Sequence, residues 1–393
     1  MNILVICQYY YPEPFRITDI CEELVRRKHE VTVVTGEPNY PEGQIYKGYE
    51  NHQKTDEIIN GVKVHRCPII PRKTGLVYRF LNYFSYPYEA KKYIKNITDS
   101  GEKPFDVVFV NQLSPVMMAE PAIAYRKRYG TPVVMYCLDL WPESLVAGGV
   151  SRGSTIYKVF HKISKRIYRG VDKILVTSKM FKDYLEEQFG VEAEGIEYLP
   201  QYAEDLFEKQ PYKMSRGEVD LVFAGNIGAV QSVETIVKAA EKLRDHSVHF
   251  HIVGSGTDLE RLQELARGLD NITFYGRRPL EEMPKFYAKA DAMLVTLQAD
   301  PVLSLTLPGK VQSYMAVGKP IIGAINGETA EVIKAAKCGY CGAADDADEL
   351  AKNIELFIQS EEKEQLGLNA RAYYETYFAR QKFMDELENE LKR

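Results

Sequence analysis

Long apolar runs are missing from this sequence: none approaches the roughly 20 residues a helix needs to cross a bilayer, so no spanning segment is expected. Its opening, MNILVICQYYYP, has neither a basic leader nor a cleavage site and reads as a strand rather than a signal peptide. A basic excess is missing too. The 50 Lys and Arg are outnumbered by 55 Asp and Glu, for a net charge of −5, the wrong sign for nucleic acid as a main partner. Cysteines are few, six in all, and Cys7, Cys67 and Cys137 fall inside strand-like runs, which fits buried thiols in a reducing compartment. Cys338 and Cys341 form a lone CxxC with no second pair, weak support for metal or redox chemistry. His, Asp and Glu do not cluster with metal-ligand spacing in either half, so neither a metal nor a cofactor is expected. His249 and His251 alternate along one strand and read as packing residues. No GxGxxG follows the first strand, which argues against a dinucleotide at that end.

What is present suits a globular protein, with 45% hydrophobic and 27% charged residues. A chain of 393 residues accommodates two domains of roughly 200 residues each. Asn2 to Cys7 and Val31 to Thr35 are apolar runs flanking a helical pattern from Ile17 to Arg27, a βαβ unit. Further strands are expected at Lys63 to Cys67, Asp106 to Val110, Pro132 to Leu138 and Lys173 to Thr177, with helices at Met117 to Arg128, Thr155 to Tyr168 and Met180 to Phe189. From Gly195 to Gly217 the pattern loosens into a linker. A second alternating set runs from Val219 to Thr296 and on through Pro301 to Ile333, ending in terminal helices. Gln381 to Arg393 carries Phe383, Met384, Leu387 and Leu391 at helical spacing, a stripe that must pack on something. The fold class is α/β: two doubly wound, Rossmann-like parallel-sheet domains facing across a cleft, with ligands beyond the carboxyl ends of the strands.

In the second half those strand ends carry short glycine turns, Gly225-Asn226-Ile227-Gly228, Gly254-Ser255-Gly256 and Gly276-Arg277-Arg278. Glycine lets backbone approach a ligand closely. Opposite them, a Pro-Gly turn and Lys310 start a helix, where backbone N–H groups and the helix dipole favour an anion. One such helix start is commonplace; three turns converging on it make a cradle for a nucleoside diphosphate. Arg277, Arg278 and Lys310 are the cations available to it, although a solvated Arg-Arg turn would need no function and only one of the pair is expected to face the cleft.

In the first half, Asp139 ends a strand and opens DLWPES, where a carboxylate could orient an acceptor hydroxyl or merely cap a helix. Glu13, Phe15 and Arg16 lie in the long aromatic loop after the first strand and are candidates for acceptor contact. Between Pro71 and Asn96, Arg72, Lys73, Arg79, Lys91, Lys92 and Lys95 interleave with Leu76, Tyr78, Phe80, Leu81, Tyr83, Phe84, Tyr86 and Tyr88. That mixture suits a membrane headgroup layer or, equally, a core-packed helix pair with snorkelling lysines.

Beyond spacing, the chain resembles glycosyltransferase family 4, of GT-B fold, and within it the bacterial polysaccharide transferases. The likeness rests on the opening MNILVICQYYYPEPFRITDICEELVRRKHEVTVVTGEPNYPEGQIYKGY, then YCLDLWPESL, FAGNIG, HIVGSG, FYGRRP and LPGKVQSYMAVGKPIIGAINGE in order. It implies an acceptor domain over residues 1–205, a nucleotide-sugar domain over 206–378, and a helix over 379–393 crossing back. It further implies retaining transfer of a sugar from a nucleotide donor, UDP-linked, to a polyprenyl-diphosphate-linked saccharide or glycan at the cytoplasmic face of the inner membrane, with residues 71–96 as the peripheral contact. On this reading the diphosphate sits on Gly225 and Asn226 and on the loop Thr306, Leu307, Pro308, Gly309 and Lys310, with Gly254 among the nucleotide-binding residues, the base near Gly276, Arg277 and Arg278, and the acceptor near Glu13, Phe15, Arg16 and Asp139. Lys310, Asp139 and Arg278 are the catalytic candidates. Many relatives carry two Glu separated by seven residues, the second binding the ribose; here Leu305 and Ser313 stand at those positions. They also often use an Arg and a Lys where this chain has Asn226 and Gln231, and Lys310 is the residue available to replace that charge. A nucleotide-sugar 2-epimerase and a non-catalytic sugar- or lipid-binding protein are the alternatives.

Overall fold

The computed structural model describes residues 1–71, 76–99, 105–147, 149–207 and 217–393. Contacts divide the chain into two units: Met1–Thr177 with Phe181–Leu199 and Met384–Arg393, and Ser178–Met180 with Pro200–Phe383.

The first unit is built on eight strands: β1 (Asn2–Ile6), β2 (Glu30–Gly36), β3 (Asp56–Ile59), β4 (Val62–Cys67), β5 (Val107–Gln112), β6 (Val133–Cys137), β7 (Lys173–Val176) and β8 (Ile196–Tyr198). They lie in the order β3-β4-β2-β1-β5-β6-β7-β8, parallel except for β3, which pairs antiparallel with β4. Ile3, Leu4, Val5 and Ile6 are all fully buried, as expected for a central parallel strand covered on both faces. The strand order reverses between β1 and β5, so the loops that leave these two strands diverge at one place on the carboxyl edge, where doubly wound sheets hold ligands. Two elements differ from expectation. The short edge strand β3, DEII, has exposed Ile58 and carries no core-facing pattern to announce it. The stretch read as a linker from Gly195 begins with β8, which pairs with β7; its residues 208–216 lie outside the described ones.

The second unit has six parallel strands: β9 (Val219–Ala224), β10 (Val248–Val253), β11 (Ile272–Gly276), β12 (Ala292–Thr296), β13 (Ile321–Ala324) and β14 (Gly339–Gly342). Their order is β11-β10-β9-β12-β13-β14, with the reversal between β9 and β12. Phe223, Phe250, Leu294 and Ile322 feed a cluster on one face of this sheet, and Val222, Met293, Val311, Tyr314 and Ile321 a cluster on the other. Each such fully buried aliphatic side chain contributes about 1.5–3 kcal/mol. The GYCG of β14 was not readable as a strand, since glycine is a poor strand former.

The last helix, Arg380–Lys392, buries Met384, Leu387 and Leu391. In the first unit Arg27 Nη1 donates to Asp385 at 2.7 Å and Glu388 at 2.9 Å, the His29 ring meets Glu388 at 3.2 Å, and Lys173 pairs with Glu390.

Candidate functional site

At the carboxyl end of β9 the chain turns at Gly225, and at the end of β10 at Gly254, both with positive φ (+156° and +147°). They touch: a Cβ on Gly254 would fall 1.8 Å from the Gly225 carbonyl oxygen. Gly225 in turn lies under Lys310, whose Nζ would be 2.6 Å from a Cβ added there. Lys310 stands in the first turn of the helix Gly309–Ala316. Its ammonium donates to Gln231 Oε1 at 2.9 Å and lies 4.1 Å from the centre of the Phe223 ring. Four residues along, the Tyr314 hydroxyl accepts from the Ala224 N–H and lies in bonding distance of the Ala224 carbonyl, 3.1 Å each, so the helix start is locked to the end of β9. The loop ahead of the helix is pinned as well: Thr306 donates to the Leu303 carbonyl at 2.7 Å, Thr329 donates to the Thr306 carbonyl at 3.0 Å, and Ser178 donates to the Leu305 carbonyl. The result is a rigid seat in which one cation faces glycine backbone. Gln231 thus lies beside the Lys310 charge and holds it through its side-chain oxygen.

Desolvation pushes Lys310 down to about 7. A diphosphate bound here would favour the charged form and so raise this pKa above about 7. The affinity supplied by the ammonium is therefore fully present below pH 7 and declines as pH rises above it, up to tenfold per unit until the pKa of the complex is reached. Calorimetry with UDP at pH 8, in buffers of different ionisation enthalpy, is expected to show uptake of close to one proton, and Lys310→Met to abolish that uptake.

Other donor-side candidates are more dispersed. Asn226 is exposed, and Gly276 ends β11, its carbonyl accepting from the Gly254 N–H at 2.9 Å. Arg277 and Arg278 are both exposed, and Arg278 Nε turns back to donate to the Tyr275 carbonyl at 3.1 Å. Since β10 separates β11 from β9, this turn lies about 10 Å, two strand spacings, from the Gly225 turn. Arg278 is thus set apart from Lys310, with which the sequence groups it as a catalytic candidate. Leu307 is buried, and Pro308 precedes the helix start. Ser313 is buried one turn beyond Lys310 and donates to Glu204 Oε2 at 3.1 Å. Glu204 went unnoticed in the sequence because it is 109 positions away in a stretch without periodicity.

In the first unit, Glu13 is 2% exposed and works as a clamp. Its Oε1 accepts from the N–H groups of Asn39 (2.8 Å) and Tyr40 (2.7 Å) and its Oε2 from Tyr10 (3.2 Å), tying the loop after β1 to the loop after β2. Burial pushes its carboxyl up to about 7 against those donors. Phe15 stacks on Tyr9 with ring centres 5.1 Å apart and meets Tyr40 at the same distance, an aromatic wall on this clamp. Arg16 is half-buried ahead of the helix Ile17–Arg26 and near Tyr136 on β6, whose pKa burial holds well above the usual phenol value, with the Arg16 charge opposing that shift. Asp139 leaves β6 at the same edge. Its carboxylate accepts from Ser144 Oγ at 2.6 Å and from Ser114 Oγ, while burial holds its pKa above the usual Asp value. The other acid of DLWPES, Glu143, is buried beneath Tyr157 (2.6 Å), Tyr184 (2.7 Å) and Arg152 (3.0 Å), and Trp141 is fully buried in edge contact with Tyr83 and Phe160.

The basic-aromatic segment forms one helix, Leu76–Asp99, rather than a helix pair. Arg72 and Lys73 lie outside the described residues, and only the backbone of Leu76 and Arg79 is described. Tyr83, Tyr86, Ala90 and Ile94 pack inward, whereas Tyr78, Leu81, Phe84 and Tyr88 are 44–69% exposed along the other side. Next to it the helix Thr155–Tyr168 exposes Ile156 and Val159 beside Lys158, Lys162 and Lys165, with Phe160 stacked on Phe80 and Phe84. Among the described residues no helix is long and apolar enough to cross a membrane.

Comparison with known proteins converges on one family. Residues 15–201 match the family model described as Glycosyl transferase 4-like domain, and residues 205–373 match Glycosyl transferases group 1. The putative colanic acid biosynthesis glycosyl transferase WcaI of Escherichia coli K12 is 26% identical over 341 residues, covering 81% of this chain and 82% of that protein. HepE from Anabaena, crystallised with UDP and glucose, superposes over 100% of this chain and 99% of its own with a TM-score of 0.71 at 15% identity. Sucrose-phosphate synthase from Thermosynechococcus elongatus superposes over 99% and 97% with a TM-score of 0.74 at 16% identity. With both of its halves matched in order and the parallel-sheet architecture shared end to end, the chain belongs to the family 4 glycosyltransferases of GT-B fold.

Proposed function

We propose that this glycosyltransferase moves a sugar, with retention, from a UDP-sugar bound by the second unit to a polyprenyl-diphosphate-linked saccharide held by the first, in surface polysaccharide biosynthesis. The observation that carries the donor half is the Lys310 ammonium fixed over the Gly225 turn. It lies where charge develops as the sugar leaves, which is where a preorganised donor is most effective. The acceptor hydroxyl attacks the anomeric carbon from the face the diphosphate departs; the bond from that carbon to the diphosphate oxygen breaks, the new glycosidic bond forms, and the hydroxyl proton passes to the leaving phosphate oxygen. Asp139, held by two serine hydroxyls, orients the acceptor, with Arg16 and the Phe15 wall beside it. The UDP held by HepE and the colanic acid assignment of WcaI support the donor and the pathway class.

The enzyme is exercised by screening nucleotide sugars with a short polyprenyl-diphosphate saccharide and following released UDP. One UDP-sugar is expected to turn over in an acceptor-dependent way, and the product's anomeric configuration, read by NMR, is expected to match the donor's. Donor turnover with no acceptor and no UDP release would instead mean epimerisation.

The acceptor's lipid implies that the enzyme works on the cytoplasmic face of the inner membrane. The exposed Tyr78, Leu81, Phe84 and Tyr88, flanked by Ile156, Val159 and the lysines of the neighbouring helix, combine apolar anchors with charge complementary to anionic lipid. Leu81→Asp with Phe84→Asp is expected to weaken sedimentation with anionic vesicles by about tenfold or more, from the loss of two inserted side chains, while activity on a water-soluble short-chain acceptor persists.

A further inference from the structure

One carboxylate near the Lys310 seat has no part in the mechanism above. We infer that Glu204 reads the ribose of the donor nucleotide, making the enzyme selective for ribonucleoside over 2′-deoxyribonucleoside diphosphates; the inference rests on the donor reading and adds a residue and a specificity to it.

The placement follows from the helix Gly309–Ala316. Ser313 is three residues beyond Lys310, so it lies about 4.5 Å farther along the axis and some 60° around it, on the same flank of the helix. A nucleoside diphosphate whose phosphates meet Lys310 therefore carries its sugar past Ser313. A vicinal diol offers two O–H donors, and an ionised carboxylate meets them with two acceptor oxygens and charge-assisted bonds, whereas serine brings a single neutral oxygen. Ser313 alone is poorly suited to that task. Glu204 supplies the missing group: its Oε2 is 3.1 Å from Ser313 Oγ, and it is half-buried, so ligand can reach it.

Glu204 is also held in place. The Ala203 N–H donates to the Tyr374 hydroxyl at 3.3 Å, the Phe207 N–H donates to the Glu204 carbonyl at 3.0 Å, and Phe207 stacks on Tyr287 at 4.9 Å. Tyr287 packs edge-on against Tyr314, the residue that locks the helix to β9. The turn that carries the carboxylate and the helix that carries the cation are thus fixed to one framework. A site built to bond a hydroxyl rejects the analogue that lacks it, because its polar groups are left unpaired.

Calorimetry with UDP and with 2′-deoxy-UDP tests this on the full chain. The wild type is expected to bind UDP about tenfold or more tightly than 2′-deoxy-UDP. Glu204→Gln is expected to weaken UDP by a similar factor and to bring the two ligands within about twofold of each other, a change in selectivity that a merely structural carboxylate would not produce. Ser313→Ala, which keeps the carboxylate, retains most of the selectivity, and covers the case in which Glu204→Gln does not fold. If the wild type binds UDP but does not discriminate, if Glu204→Gln binds UDP with the wild-type preference intact, or if Ser313→Ala loses the preference, the assignment of the ribose to Glu204 is wrong and the donor reading stands. If the wild type binds no uridine nucleotide at millimolar concentration, the donor reading itself fails and this inference with it.

Discussion

Lys310→Ala is expected to lower kcat/KM by about two to three orders of magnitude, the loss of about 2.7–4 kcal/mol that follows removal of one preorganised donor from a leaving group. The expectation rests on geometry: the ammonium is directed at the Gly225 turn by Gln231 and the Phe223 ring, and the helix that carries it is fastened to β9 through Tyr314. Folding should respond in the opposite sense. Burial disfavours the charged form of this lysine, as its depressed pKa records, so its removal is expected to leave the thermal midpoint unchanged or raise it. Steady-state kinetics beside a thermal melt separate these outcomes. A residual kcat/KM within about twofold of wild type would remove Lys310 from the leaving-group role assigned to it. Lys310→Arg is not expected to rescue, because a planar fork is larger than the point charge that this enclosed position fits.

Gly254→Ala is expected to be the most disruptive single-atom addition in the second unit's site. The new Cβ would meet a backbone carbonyl, that of Gly225, at 1.8 Å, and backbone cannot swing aside as a flexible side-chain tip can. The turn must open, at a cost of the order of 1–3 kcal/mol for a strained non-glycine φ together with the forced repacking. The opened turn no longer presents Gly225 to Lys310, so nucleotide affinity should fall by about a hundredfold or more, the loss of a charge-assisted contact and its neighbours. Chemical denaturation should show reduced stability with an unchanged denaturant slope, and calorimetry with UDP the loss of binding. The pair of variants is diagnostic: Gly254→Ala lowers both stability and binding, whereas Lys310→Ala lowers function alone.

The elements of both sheets were largely legible because their central strands are near-continuous apolar runs between helical patterns, as in NILVI and VDLVFA. Edge strands escaped for lack of a core signal: β3 is half acidic and β14 is half glycine. On the donor side, Lys310 and the glycine turns could be found because a loop, a cation and a helix start lie together in the sequence. The Gln231 contact to Lys310 spans 79 positions, and the Glu204 contact to Ser313 spans 109; no local pattern encodes such pairs. On the acceptor side, Glu13 was legible as a residue of interest, but not that its carboxylate would be taken up by three backbone N–H groups. Position alone leaves Asp139 open to a capping role; its bond to Ser144 lies within DLWPES, but its bond to Ser114 depends on a loop 25 positions upstream. The exposed face of the helix Leu76–Asp99 could not be separated from its packed face without knowing which side meets the sheet.

The clasp between Arg27 and the final helix bears on how the protein is made. The residues that neutralise Arg27 and pair with Lys173, namely Asp385, Glu388 and Glu390, are made only after the intervening second unit. Domains generally fold as they emerge, but here the first unit must wait, with Arg27 short of these partners and the apolar seats of Leu387 and Leu391 unfilled, until the helix Arg380–Lys392 has been made. A chain interrupted before this helix therefore leaves its earlier-made unit unfinished, so closure of the first unit reports that the second has already been synthesised.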